Sequence, residues 1–345
     1  MTTADRLASP TAAAALSPLP PALRIAAIIP CYNEALAIPK VVADFRADLP
    51  EAQIHIFDNN STDGTAEVAR AHGAHVVHVP LRGKGNVVRR MFADVEADIY
   101  VMVDGDATYD LSTVREMIRM LVEQKLDMVV GARVDDQSDA QTYRRGHRLG
   151  NQMLTGAVAG LFGGSFTDML SGFRVFSRRY VKSFPALAKG FEIETELTVH
   201  ALELRMPYAE VASVYRSRPE GSVSKLSTYR DGWRILVTIS KLFVSERPLM
   251  FFAILAGLLA LAAVGLAIPL AMTFWETGLV PRLPTAVLAT GLMLSAMLAL
   301  VCGAVLHTVT IGRQEAKRLR YLAMPAAGSE SVSYTHLTLP TILLV

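Results

Sequence analysis

Two carboxylates stand one residue apart, Asp104 and Asp106, where the apolar run "IYVMVDGD" ends. In an extended chain, residues i and i+2 point to one side, so the two acids can converge. Carboxylates that close repel each other unless something neutralises them, and a hard divalent cation does so through oxygen ligands. Read alone, the stretch is equally a polar turn after a buried strand. Other polar clusters accompany it. "PCYNEA" supplies Glu34, and "DNNSTDGTAEVA" supplies Asp58, which can accept hydrogen bonds from a base or ribose. Asp63 and Gly64 in the same stretch read as a helix cap and a turn. "RGKGN" sets Lys84 between two glycines, a flexible basic loop suited to phosphates or else a surface turn.

Further along, Arg144, Arg148 and Asn151 recur at helical spacing and form one polar face. Asp168 in "DMLSGFR" and Glu194 in "FEIETE" are acids for base or positioning roles, or for pairing with an arginine such as Arg174. In "HGAHVVHV" strand alternation splits His75 and His78 onto opposite faces, which disfavours a zinc site.

These residues need a scaffold. From Leu23 to about Val214, apolar strands alternate with amphipathic helices. "LRIAAIIP", "IHIFD", "HVVHVP", "DIYVMVD" and "DMVVGAR" read as strands, with helices in the stretches between them. That order predicts an α/β fold, a mainly parallel sheet covered on both faces. Ligands then bind beyond the carboxyl ends of the strands, where the polar clusters fall.

The 345-residue chain carries a net charge of +2, so no global basic field points to nucleic acid. Leu249 to Trp275 and Thr285 to Leu306 run without a charge, each long enough to cross a bilayer. Lys241 and Arg247 precede the first run, and Arg313, Lys317, Arg318 and Arg320 follow the second. The positive flanks predict both outer ends in the cytoplasm. Between sheet and spans, Arg230, Arg234, Thr238, Lys241 and Ser245 form a polar stripe opposite Trp233, Leu236, Val237, Phe243 and Val244. That pattern suits an interfacial helix, or one packed on the domain. Cys31 and Cys302 give no disulfide framework and suit a reducing compartment.

In order, "PCYNE", "DNNSTDGT", "GKGN", "DGD", "GAR", "RRGHRLGN", "DMLSGFRVF" and "RPEGSVSKL" resemble glycosyltransferase family 2, with the GT-A fold. The resemblance runs from about Arg24 to Leu226 and is strongest to the dolichyl/polyprenyl-phosphate sugar synthase branch. It implies that Asp104 and Asp106 hold Mg²⁺ or Mn²⁺. It assigns the donor site to Pro30, Tyr32, Glu34, Asp58, Lys84, Asp104 and Gly105, with Gly105 leaving room between the acids. Arg144, Arg148 and Asn151 are assigned to an acceptor phosphate, and Asp168, Arg133, Arg218 and Lys225 to catalysis. Two departures stand out: Asn59 replaces a second acid, and Thr108 stands where the branch often has Gln. "QTYRR" at Gln141 lies too early, and lacks the Trp, for the QxxRW motif of processive synthases.

The resulting map has a lead-in at 1–22, a GT-A domain at 23–226 and an interfacial helix at 227–247. Two transmembrane helices follow at 248–307, then a basic cytoplasmic tail at 308–331. Residues 332–345 read as a translated sequencing adapter. The expected activity is inverting, metal-dependent transfer from a nucleoside-diphosphate sugar to polyprenyl phosphate, on the cytoplasmic face of a membrane and without nucleic acid. The alternatives are a hydroxyl acceptor, a nucleotidylyltransferase or a non-catalytic scaffold. The second would want a Gly-rich loop after the first strand, and "PCYNEA" has no glycine.

Overall fold

A computed structural model describes residues 23–135, 154–156, 158–164, 166–218 and 228–328. Its centre is a seven-stranded sheet in the order β3-β2-β1-β4-β6-β5-β7. The first five strands are β1 (Ile25–Cys31), β2 (Gln53–Asp58), β3 (His75–His78), β4 (Ile99–Met102) and β5 (Met128–Asp135). They fall where the hydrophobic pattern predicts them. Two more, β6 (Arg174–Ser177) and β7 (Tyr208–Tyr215), complete the sheet and were not expected. β6 has four residues and opens on an arginine, too short and too polar at its start to show a period. It runs antiparallel between β4 and β5, while every other pair is parallel.

Helices cover both faces because the central strands are apolar on both sides. On one face lie α1 (Ile38–Asp48), α2 (Thr65–Ala71) and α4 (Val114–Glu123). There Phe45, Leu49, Met117 and Leu121 pack with Ile29, Ile56 and Val101. On the other face lie α3 (Lys84–Asp94), α5 (Arg178–Ser183) and α6 (Ile193–Glu203). Val88, Met91, Tyr180 and Leu197 close over Ile28, Phe57 and Met102. The register pairs Cys31 with Asp58, so the carboxyl ends of β1 and β2 are level. Polar residues leaving those ends are delivered to one rim.

The amphipathic stretch forms α7 (Thr228–Glu246). Its Ile235 and Ile239, absent from the apolar face predicted above, pack on Val158, Phe162, Met169 and Val199. Trp233 and Leu236 remain exposed. One helix thus packs on the domain through one stripe and offers a second apolar stripe outward.

Two long helices follow, α8 (Pro248–Thr277) and α9 (Leu283–Leu322), with mean hydropathies of 2.7 and 2.1 in their most apolar windows. Both are long and apolar enough to cross a membrane. They pair as a hairpin through small residues, Ala256 against Ala296 and Ala299. A Cβ on Gly303 would lie 2.8 Å from Phe252, so glycine lets the helices approach closely. Much of the stretch expected as a basic tail at 308–331 is helical, since α9 continues unbroken to Leu322. Hydropathy marks where the apolar run ends, but "RQEAKRLRYL" consists mostly of good helix formers, so the helix does not stop there.

The backbone at Gly85, near the start of α3, almost touches a neighbouring loop: a Cβ there would meet the Ala188 carbonyl oxygen at 2.3 Å. Gly85→Ala is therefore expected to destabilise the protein by about 1–3 kcal/mol, as overpacking against rigid backbone does. Thermal unfolding of the full-length protein in detergent measures this, and an unchanged midpoint contradicts it.

Candidate active site

The sheet delivers its acids to the rim beyond β4. Asp104 and Asp106 follow that strand after one residue, and Ala107, at φ 58°, turns the chain away. Asp106 is 5 % exposed; its Oδ1 accepts from the Thr108 hydroxyl at 2.6 Å and the Thr108 N–H at 3.3 Å. Its Oδ2 lies 2.6 Å from the Arg218 guanidinium. Burial, then the Asp104 charge, push Asp106 above the usual carboxylate range, while Arg218 opposes the rise. The two acids are near enough for the Asp104 charge to act on Asp106, but they leave β4 through a turn at Gly105 and Asp106, not along an extended strand.

Lys84 is the first residue of α3, with Gly83 at φ 118° before it. Its Nζ lies 2.5 Å from both Asp104 Oδ1 and Glu194 Oε1. Burial acts to lower the lysine pKa, but the two carboxylates overcome it and hold the pKa above its ordinary value. Lys84 therefore stands at a helix start in a buried ion pair and not in a flexible loop or surface turn. The glycines of "RGKGN" serve backbone contact with residues 188 and 189, not mobility. Gly105 also differs from expectation. A Cβ there would lie 2.5 Å from Cys31 Sγ, so its smallness packs β4 against β1 rather than opening space between the acids.

Asp168 has a definite partner. Its carboxylate forks with Arg133, accepting from Nε at 2.6 Å and from the second guanidinium nitrogen at 2.8 Å. The Arg133 backbone N–H adds a third bond at 3.2 Å. The alternative of pairing with an arginine is realised, though with Arg133 instead of Arg174. Arg174 is fully buried and donates to the carbonyls of Ser171, Met169 and Glu194 and to the Thr198 hydroxyl. Arg133 also lies over the Tyr215 ring at 5.5 Å.

Asp58, at the mouth of β2, accepts from the Ser61 N–H at 3.3 Å and lies 3.5 Å from His78 Nδ1. Glu34 is buried, and its N–H donates to the Thr65 hydroxyl at 2.9 Å. Both residues therefore have structural ties that the sequence reading did not give them. Pro30 lies opposite Phe57 in the β1–β2 register, and Tyr32 is exposed just beyond the strand. Asp63 bonds Thr65 and the Ala35 N–H, tying the first two loops together, while Gly64 at φ 84° is the N-cap. His75 packs edge-on to His55, so the histidines of that strand have separate neighbours. Lys225, Arg144, Arg148 and Asn151 lie outside the described residues.

Two positioning residues escaped the sequence reading. Asn59, taken as a lost acid, donates to the carbonyls of Val79 and Leu81 and accepts from the Gly83 N–H at 2.7 Å. An aspartate could not donate, so the amide is what fixes the loop leading to Lys84. Gly172 abuts the acid pair: a Cβ there would lie 2.4 Å from Asp104 Oδ2. The glycine of "SGFR" was the available signal.

The donor set suits a hard divalent cation. Two carboxylate side chains stand at the rim, and Mg²⁺-like ions commonly take one or two carboxylates and complete their shell with substrate phosphates. Among the described residues no cluster of three acids, histidines or cysteines gathers to form an all-protein cage. Thr108, which stands where the branch often has Gln, donates its hydroxyl to Asp106.

A mainly parallel sheet with one antiparallel strand, and acids beyond its carboxyl rim, is the architecture of the GT-A fold. Residues 26–184 match the family described as glycosyl transferase family 2. Glycosyltransferase AglJ of Haloferax volcanii is 35% identical, over 73% of this chain and 82% of its own length. A dolichyl-phosphate hexose transferase of the same organism is 28% identical, over 65% of this chain and 95% of its own. Among solved structures, glucosyl-3-phosphoglycerate synthase of Mycobacterium tuberculosis superposes with a TM-score of 0.51 at 25% identity, over 63% of this chain and 81% of that one. The chain belongs to glycosyl transferase family 2 and is a nucleotide-sugar transferase.

Removing Lys84 leaves Asp104 and Glu194 facing each other without their cation. Lys84→Met is expected to cost about 3–5 kcal/mol, the usual result of breaking a buried pair. Glu194→Gln in the same chain should restore part of that loss, because it removes one uncompensated charge. Additive effects in chemical denaturation of the two single variants and the double variant would contradict the pairing.

Proposed function

We propose that this enzyme transfers a sugar from a nucleoside-diphosphate sugar to a polyprenyl phosphate at the cytoplasmic face of a membrane, with inversion at the anomeric carbon. The observation that carries the acceptor assignment is the engagement of both acids considered for a base role. Asp168 is forked to Arg133, and Glu194 is paired with Lys84. A hydroxyl acceptor needs a base to take its proton, whereas a phosphate oxygen is already ionised near neutral pH. The charge arrangement therefore favours an acceptor that arrives as an anion.

In the reaction, an acceptor phosphate oxygen forms a bond to the anomeric carbon from the side opposite the diphosphate. The carbon–oxygen bond to the diphosphate breaks, and its electron pair leaves with the diphosphate. Asp104 and Asp106 would hold a divalent cation, which supplies charge stabilisation on the departing group. Arg218, on Asp106, and Arg133, held in a fork by Asp168, direct fixed positive charge to the same rim. Asp168 is then a positioning residue, since its oxygens orient Arg133. Asp58, Glu34, Tyr32 and Pro30 border the opposite side of the rim and receive the nucleoside. Lys225 is assigned a share of the diphosphate charge, and Arg144, Arg148 and Asn151 the acceptor phosphate, by their motifs alone.

Membrane sidedness is supported by the helices. α9 returns to the catalytic domain, where Lys317 meets Glu203 of α6 at 2.8 Å, so both ends of the hairpin belong to the domain's side. Their positive flanks favour the cytoplasm. The relative named for dolichyl-phosphate hexose transfer supports a lipid acceptor for this chain as well.

Two measurements test this reading. Asp106→Asn should abolish transfer while the variant still folds, and chelator should silence the wild type until Mg²⁺ or Mn²⁺ is returned. Full activity in excess chelator contradicts the metal role. The product formed from polyprenyl phosphate should release its sugar in mild acid, as a glycosyl phosphodiester does. An acid-stable product instead indicates a hydroxyl acceptor.

A further inference from the structure

The part of α9 that outruns the apolar stretch is not a loose tail. From Leu306 to Tyr321 it extends roughly 22 Å at 1.5 Å per residue, and along the way it is bonded to α7 and to two parts of the catalytic domain, α6 and the residue before β5. Nearest the hairpin, the Thr310 hydroxyl donates to the Ser245 carbonyl at 3.0 Å, and the Arg313 guanidinium donates to the same carbonyl at 2.7 Å. One turn on, Lys317 bridges Glu203 of α6 at 2.8 Å and Glu246 of α7 at 3.8 Å. At the far end, the Tyr321 hydroxyl donates to Asp127 Oδ2 at 2.7 Å.

Asp127 precedes β5 and is 0 % exposed. It also accepts from the Ser177 hydroxyl at 2.7 Å and from Arg179, whose guanidinium lies 4.7 Å from the centre of the Tyr321 ring. The chain then passes under the sheet, where a Cβ on Gly328 would touch Val122 of α4 at 2.8 Å. The attachment is therefore at the amino-terminal edge of the sheet, opposite the rim that carries Asp104 and Asp106. A fully buried carboxylate with a stacked arginine fixes a geometry, which a simple tether would not require.

We propose that residues 310–321 of α9 form a brace that sets the height and tilt of the catalytic domain above the bilayer. Tyr321 and Lys317 act as positioning residues for transfer to a membrane-embedded acceptor. A helix fixed at both ends keeps the distance between hairpin and sheet constant, so the rim meets acceptor head groups at one depth. The consequence for rate rests on the lipid-phosphate reading above; the brace itself does not.

The test uses the full-length protein in nanodiscs and compares wild type with the double variant Tyr321→Phe, Lys317→Met. The chain has two tryptophans, and Trp233 is 66 % exposed on α7, so a Trp275→Phe background leaves it as the only depth reporter. Quenching of Trp233 by lipids brominated at known depths should shift in the double variant. With a long-chain polyprenyl phosphate in the disc, kcat/KM should fall about tenfold or more, as displacement of a reacting site does. With a short, water-soluble prenyl phosphate, kcat/KM and the KM for donor should not change.

An unchanged quenching profile overturns the brace. An equal loss on both acceptors, or no loss on the embedded one, overturns the positioning role. If wild type glycosylates neither prenyl phosphate, the acceptor assignment fails, and the quenching profile alone still decides the brace.

Discussion

Charge balance around the acids beyond β4 is the constraint on which the rest of the site depends. Four carboxylates, Asp104, Asp106, Asp168 and Glu194, stand in or near one poorly solvated region. Among the described residues they are matched by Lys84, Arg133 and Arg218 in direct ion pairs and by the buried Arg174 behind them. Removing charges from water without partners is strongly unfavourable, so each acid constrains where a base must stand. The fixed positive charge that Arg133 and Arg218 present at the rim is already balanced by acids, so an incoming diphosphate is expected to bring its own cation.

Much of the surrounding architecture can be understood as holding those partners in register. Asn59 fixes the loop before Lys84, and Gly83 and Gly85 let α3 lie against the backbone of residues 188 and 189. That loop is itself held by Glu196, whose oxygens accept from the N–H groups of Leu187 and Ala188 at 2.8 and 2.7 Å. α6 thereby supplies both Glu194, which pairs with Lys84, and Glu196, which fixes the loop beside it. On the other side, Gly172 allows the turn before β6 to lie against Asp104, and the Gly172 N–H donates to the Tyr109 hydroxyl at 2.8 Å. Small residues at these positions are a steric requirement of bringing five chain segments to one rim.

The first five strands, and the place of the acids beyond β4, were legible because local patterns encode them. A buried parallel strand is a continuous apolar run, and Asp104 and Asp106 stand in the sequence just where one ends. Ion-pair partners were not legible, since Arg133 and Asp168 lie 35 residues apart and nothing local in either motif names the other. The rigidity of the segment around Lys84 was not legible for a related reason. Glycines beside a lysine suggest mobility, yet here they permit backbone contact with a loop from the far half of the domain. β6 was hidden by its length, and the extension of α9 by a charged sequence whose partners, Glu203 and Asp127, lie far off in the chain. The packing stripe of α7 was obscured because Ile235 and Ile239 lie beside, not within, the more conspicuous face containing Trp233.

The charge-balance account is tested most directly by the linkage between nucleotide and cation. Mn²⁺ binding to the full-length protein can be followed by electron paramagnetic resonance, with and without each common nucleoside diphosphate. The account predicts weak Mn²⁺ binding alone, because Lys84 and Arg218 already neutralise the acid pair. One nucleoside diphosphate should strengthen it at least about tenfold, and by reciprocity Mn²⁺ should strengthen that nucleotide's binding equally. Tight Mn²⁺ binding without nucleotide, or nucleotide binding that is unchanged in excess chelator, would contradict it.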